Sequence, residues 1–111
     1  MKIHELKDEA GRIFAFEVFN FGRHRACRFV TKIPGVSIVK RQKHFQFTAD
    51  DEFCEFELNG KRFLLWEPWG DNSRFWVGPK PSEDQSQGIT WCAEFDEIRN
   101  AFASYKAFWL F

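Results

Sequence analysis

The densest group of chemically able side chains is Trp66 to Trp76, WEPWGDNSRFW. It holds three Trp, two acids, an Arg, an Asn and a Ser within eleven residues. Glu67 and Asp71 could act as general acid and base if they converged. Arg74 could grip an anion through two parallel N–H bonds. The indoles could wall a planar ligand or anchor a protein partner, because Trp and Arg dominate interface hot spots. Gly70-Asp71-Asn72-Ser73 must turn, since Asp and Asn bond their own backbone and tolerate the left-handed region. The plainer reading is a rigid turn, with Trp69 over Pro68 and Arg74 paired to an acid. No nucleophile and base sit at a recognisable catalytic spacing. Binding through Glu67, Trp69, Asp71 and Arg74 is therefore preferred to catalysis, and no residue is assigned as catalytic.

The second candidate is electrostatic. Residues 1–44 hold ten basic and four acidic side chains, and residues 45–111 hold six and twelve, so a neutral chain is split into halves of +6 and −6. No acid lies between Glu17 and Asp50. Arg25, Arg28, Lys32, Arg41 and Lys43 from that stretch could form a phosphate-binding face, with Phe45 and Phe47 as stacking rings for single-stranded nucleic acid. The competing expectation is that the basic half folds against the acidic half or faces solvent, and zero net charge favours it.

The remaining reactive residues are scattered. His4, His24 and His44 fall on three different elements, and a zinc site needs three or four convergent ligands. Cys27, Cys54 and Cys92 are odd in number and never spaced C-x-x-C, which suggests neither a zinc knuckle nor a redox pair. They read as reduced, mostly buried thiols of a cytoplasmic protein. The glycines are isolated, so there is no phosphate-cradling loop. We expect no metal and no cofactor.

The elements that would position these residues follow from periodicity. Arg12 to Asn20 (RIFAFEVFN) reads as a strand with Phe14, Phe16 and Val18 on one face and Ile13, Ala15 and Phe19 mostly on the other. Apolar residues on both faces place it centrally. Asp8 to Gly11 reads as the turn before it, and Lys2 to Leu6 as a short edge strand. Ala26, Phe29, Val30 and Ile33 recur at helical spacing, which puts a helix at about 22–33, stopped by Pro34-Gly35. Val36 to Lys40 and His44 to Thr48 read as a hairpin. Asn59-Gly60 suits a two-residue type I′ turn, in which both central residues take positive φ. That turn sets Leu58 opposite Lys61, Glu57 opposite Arg62, Phe56 opposite Phe63, Cys54 opposite Leu65 and Phe53 opposite Trp66. Arg74 to Gly78 is a further strand. Trp91, Phe95, Ile98, Phe102, Tyr105 and Trp109 form one stripe of a closing helix at about 91–107. Thr90 is its expected N-cap, with acids in the first turn and Lys106 in the last. Pro79 to Gly88 reads as an exposed loop.

The expected fold is α+β: one domain over 1–111, an antiparallel sheet of about five strands in meander order, and two helices packed on one face. The apolar tail, Ala107 to Phe111, is expected to dock on this sheet, which favours a monomer over a homodimer sharing tails. No apolar run approaches the ~20 residues of a membrane helix, and no membrane partner is expected. The preferred function is a non-enzymatic protein-binding domain using Trp66–Trp76. The alternatives are a nucleic-acid module using segment 23–43 and a small enzyme with Glu67 or Asp71 as acid/base.

Overall fold

The computed structural model describes residues 1–41, 52–67, 73–80 and 92–105. They form strands β1 (His4–Lys7) and β2 (Ile13–Phe19), helix α1 (Arg23–Thr31), strands β3 (Val36–Arg41), β4 (Glu52–Leu58), β5 (Lys61–Trp66) and β6 (Arg74–Pro79), and helix α2 (Ala93–Ser104). The class is the expected α+β, with six strands in one antiparallel sheet ordered β1-β2-β6-β5-β4-β3. Strict meander order is corrected. Strands β3 to β6 do meander, but β2 lies beside β6, and the chain passes through α1 to begin β3 at the far edge. Such a pairing of strands distant in sequence leaves no local signal.

The first hairpin closes through Asp8, whose Oδ1 accepts the backbone N–H groups of Ala10 and Arg12, both at 2.9 Å. These bonds hold its carboxyl below the ordinary value. Within β2, Phe16 and Val18 enter the core as expected. The β1–β2 register shifts after Leu6, so Ile13 rather than Phe14 packs against that core.

At the central hairpin Asn59 has φ 52° and Gly60 φ 80°, the left-handed pair that the turn demands. The register matches expectation from Leu58↔Lys61 to Cys54↔Leu65. It then fails at the far end. A bulge between Glu52 and Cys54 sets Glu52, not Phe53, opposite Trp66. The extra residue turns Phe53 to the core side together with Cys54, and Phe53 packs on Phe75 at 4.8 Å between ring centroids. Strand β3 pairs with β4; the expected partner 44–48 lies outside the described residues.

One face of the sheet carries both helices. Phe16, Val18, Phe56, Leu58, Phe63, Leu65, Phe75 and Val77 meet Ala26, Val30 and Ile33 from α1 and its C-terminal turn, and Phe95, Ile98 and Phe102 from α2. The helices touch through Phe29 and Phe102, edge-on at 4.9 Å.

Both helices are shorter than expected. Helix α2 starts at Ala93, so Thr90 is not its N-cap. The Cys92 thiol has that role, with Sγ accepting the Phe95 N–H at 3.4 Å. The helix stops at Ser104 because Tyr105 adopts an extended backbone and sets its ring on Phe21 and Phe29. The Met1 nitrogen donates to the carbonyls of Ala103 and Tyr105 there. No basic residue falls in the last turn of α2, and Lys106 lies outside the described residues. Pro79 ends β6 rather than opening the loop expected over 79–88; residues 81–91 and the tail 107–111 lie outside the described residues.

Candidate functional site

The opposite face of the sheet bears neither helix. Its centre is one row crossing five strands: Glu52, Trp66, Trp76, Glu17 and His4, each directly opposite the next. Side chains at opposed positions share a face, so both indoles and both carboxylates project from the same side. The Trp66 and Trp76 rings meet at 5.7 Å with planes 74° apart, an edge-to-face pair. Trp66 is 36% exposed.

The Trp76 indole lies down on the sheet. A Cβ built on Gly78 would meet its ring at 2.7 Å and the Ala15 methyl at 3.0 Å. Gly78 is therefore the gap into which the indole folds, and Ala15 beside it is fully buried without a helix above it. Leu64, opposite Gly78, is buried on the same face.

Ion pairs frame the indoles. Arg74 Nη1 lies 3.3 Å from Glu17 Oε1 on one side. On the other, Glu55 receives Lys80 Nζ on Oε1 at 2.7 Å and Arg62 Nη1 on Oε2 at 2.9 Å. Burial alone would push the Glu55 carboxyl up, but Lys80 and Arg62 outweigh it and hold the group below its ordinary value. Phe19, 46% exposed, stands opposite Arg74 at the rim.

The four residues expected to bind through the Trp66–Trp76 segment are not brought together as far as they are described. Arg74 lies on the helix-free face. Glu67 follows β5 on the helix side, where it is buried and receives Arg23 Nε at 2.8 Å. The same guanidinium sits 5.1 Å from the centre of the Phe53 ring. Trp69 and Asp71 lie outside the described residues. What the sequence reading missed is the second neighbour of Trp66: Glu52 takes the place expected for Phe53 on β4, and Trp76 pairs with Trp66 from β6. The signal was present, because a hairpin centred on Asp71 pairs these two positions.

Of the phosphate-binding candidates, Arg25, Arg28 and Lys32 are exposed on the outer side of α1 and its end. None of the three has an ion-pair partner among the described residues. Arg41 ends β3, and Lys43 lies outside the described residues. Arg23 from this stretch turns inward to an acid of the second half of the chain. Among the described residues no cluster of three or more His, Cys, Asp or Glu has the geometry to hold a metal ion, and no helix is long and apolar enough to cross a membrane.

Comparison with known proteins finds no matching family model, no matching curated protein and no matching solved structure.

Proposed function

We propose that the chain is a cytoplasmic, non-enzymatic protein-binding domain whose partner docks on the helix-free face of the sheet. The observation that carries this reading is the Trp66–Trp76 pair, presented on rigid strands and ringed by ion pairs already satisfied within the chain. A partner covering the indoles gains the burial of large rings without stripping unpaired charges of water. Trp66 is the anchor, Trp76 its support and Arg74 the directional contact at the rim. Trp69 and Asp71 remain candidates through their place in the link between the two Trp-bearing strands. Glu67 acts from the other side, fixing the end of β5 to α1.

Acid/base catalysis finds less support, since the Glu67 carboxylate is buried in an ion pair on the face opposite Arg74. Nucleic-acid binding remains the second reading. The exposed stripe Arg25, Arg28 and Lys32, unopposed by acids among the described residues, favours it.

Site-specific photo-crosslinking in cells separates them. A photoreactive phenylalanine at position 66 should give a discrete protein adduct, and Arg74→Ala should weaken it. The same group at position 25 should give none. Adducts to nucleic acid from position 25, with salt-sensitive binding of short probes abolished by Arg25→Glu and Arg28→Glu, would establish the second reading instead.

A further inference from the structure

Cys27 and Cys54 are 27 positions apart and belong to different elements, yet their sulfurs lie 2.9 Å from each other inside the core. Cys27 stands on the inward side of α1, one turn after Arg23. Cys54 stands on β4 next to the bulge. The register of the Asn59-Gly60 hairpin puts Cys54 on the helix side opposite Leu65, and the bulge adds Phe53 beside it. A disulfide bond is about 2.05 Å long, so closing this gap needs under about 1 Å of sulfur travel. Neither sulfur is in a disulfide.

We propose that Cys27 and Cys54 form a reversible redox pair, oxidised to an intramolecular disulfide by a small hydroperoxide. The two sulfurs differ in access: Cys27 keeps 7% exposure and Cys54 1%. Cys27 is therefore the sulfur oxidised first. Its thiolate displaces one oxygen of the hydroperoxide: the O–O bond breaks, an S–O bond forms, and the leaving alkoxide or hydroxide takes up a proton. The Cys54 thiolate then attacks the Cys27 sulfenic sulfur. The S–S bond forms, the S–O bond breaks, and the departing hydroxide leaves as water. Overall two thiols lose two hydrogens, and the hydroperoxide is reduced to an alcohol (or water) and water. A dithiol reductant reverses the bond. The burial of both sulfurs restricts the oxidant to small molecules, since a protein disulfide cannot reach them without opening the core. The bond would tie α1, with its stripe Arg25, Arg28 and Lys32, covalently to the sheet.

The test uses the full chain, reduced, freed of reductant and exposed while folded to hydrogen peroxide. The reaction is then quenched, and the protein is alkylated in denaturant and weighed intact. Two of the three thiols should become unreactive together, with a mass loss of about 2 Da before alkylation. Peptide mapping should give one cross-linked species joining Cys27 to Cys54, and dithiothreitol should remove it. Cys92→Ser should leave that species unchanged, whereas Cys54→Ser should abolish it. Full alkylation of Cys27 and Cys54 after peroxide has consumed Cys92 would overturn the proposal. So would a cross-link from Cys92 to either. Because the wild-type and Cys92→Ser proteins suffice for both outcomes, a folding defect in Cys54→Ser cannot mask the result.

Discussion

On the helix-covered face, Phe16, Phe56, Phe63 and Phe75 are buried under two helices and against one another. On the helix-free face, Trp76 lies across Gly78 beside Ala15 and meets Trp66 edge to face, with Glu17, Arg74, Glu55, Arg62 and Lys80 around them. Both faces remove apolar surface from water. The first does so with other elements, the second with its own side chains laid flat. A face that covers itself needs no helix to fold, which is what the proposed docking of a partner there requires. That difference separates the residues that hold the fold from those proposed to meet a partner.

The comparison breaks most easily under deletion of ring volume. Phe16→Ala or Phe102→Ala on the helix-covered face should cost about 3–5 kcal/mol in urea unfolding, since neither cavity can collapse without moving a helix. If Trp66→Ala costs as much, the helix-free face is a second core and its availability is refuted.

Gly78→Ala examines the self-covered face itself. The added methyl group meets the Trp76 ring and must expel it, which should cost about 1–3 kcal/mol. The near-ultraviolet circular dichroism of the indole pair should fall in the same variant. Because the obstacle is an indole and not the backbone, Gly78→Ala combined with Trp76→Val should cost less than the sum of the two single changes.

Trp66→Ala should change stability by about 1 kcal/mol or less, because a partly exposed ring loses little burial. Its effect belongs on partner capture. Arg74→Ala should also weaken partner capture, and it should cost more stability than Trp66→Ala, because the buried Glu17 carboxylate loses a counter-ion.

The smallest effect is set by pH. The Lys61 ammonium, together with the Asn59 amide, holds the Glu94 carboxyl down to about 2, from an ordinary 4.5. A carboxyl whose value is depressed on folding contributes stability above its unfolded value and loses it as pH falls toward the folded one. The stability difference between wild type and Glu94→Gln should therefore be constant above pH 4.5 and shrink between there and about 2. Denaturant midpoints across that range check it; a difference that stays flat would show that the clamp between the central hairpin and α2 does not form in solution.

How much of this was legible depends on distance along the chain. The Asn59-Gly60 turn dictates its own register because two positive-φ positions leave one geometry, and the cross-strand pairs near it followed. A single bulge six residues away undid Phe53↔Trp66, since nothing local marks where a strand takes up an extra residue. Helix α1 was readable from its apolar spacing, but its end and that of α2 depend on caps: Cys92 is an unusual acceptor, and Tyr105 stops α2 by docking on rings from elsewhere. The pairing of β2 with β6, the Trp66–Trp76 row and the approach of Cys27 to Cys54 all arise from tertiary arrangement. The Trp66–Trp76 segment was found by composition, whereas the separation of Glu67 from Arg74 onto opposite faces required knowing where β5 ends.

The insertion of β2 beside β6 also has a consequence in time. Glu17 and Arg74 are 57 positions apart. At roughly 5–20 residues per second, a ribosome needs roughly 3–11 s to deliver β6 after β2. Throughout that interval β2 has only the short strand β1 as a neighbour, and Phe16 and Val18 have no sheet to enter. The nascent chain thus carries an aromatic strand with one open edge for seconds, long compared with hairpin formation. Chaperone dependence during synthesis should therefore fall once Arg74–Pro79 has left the exit tunnel.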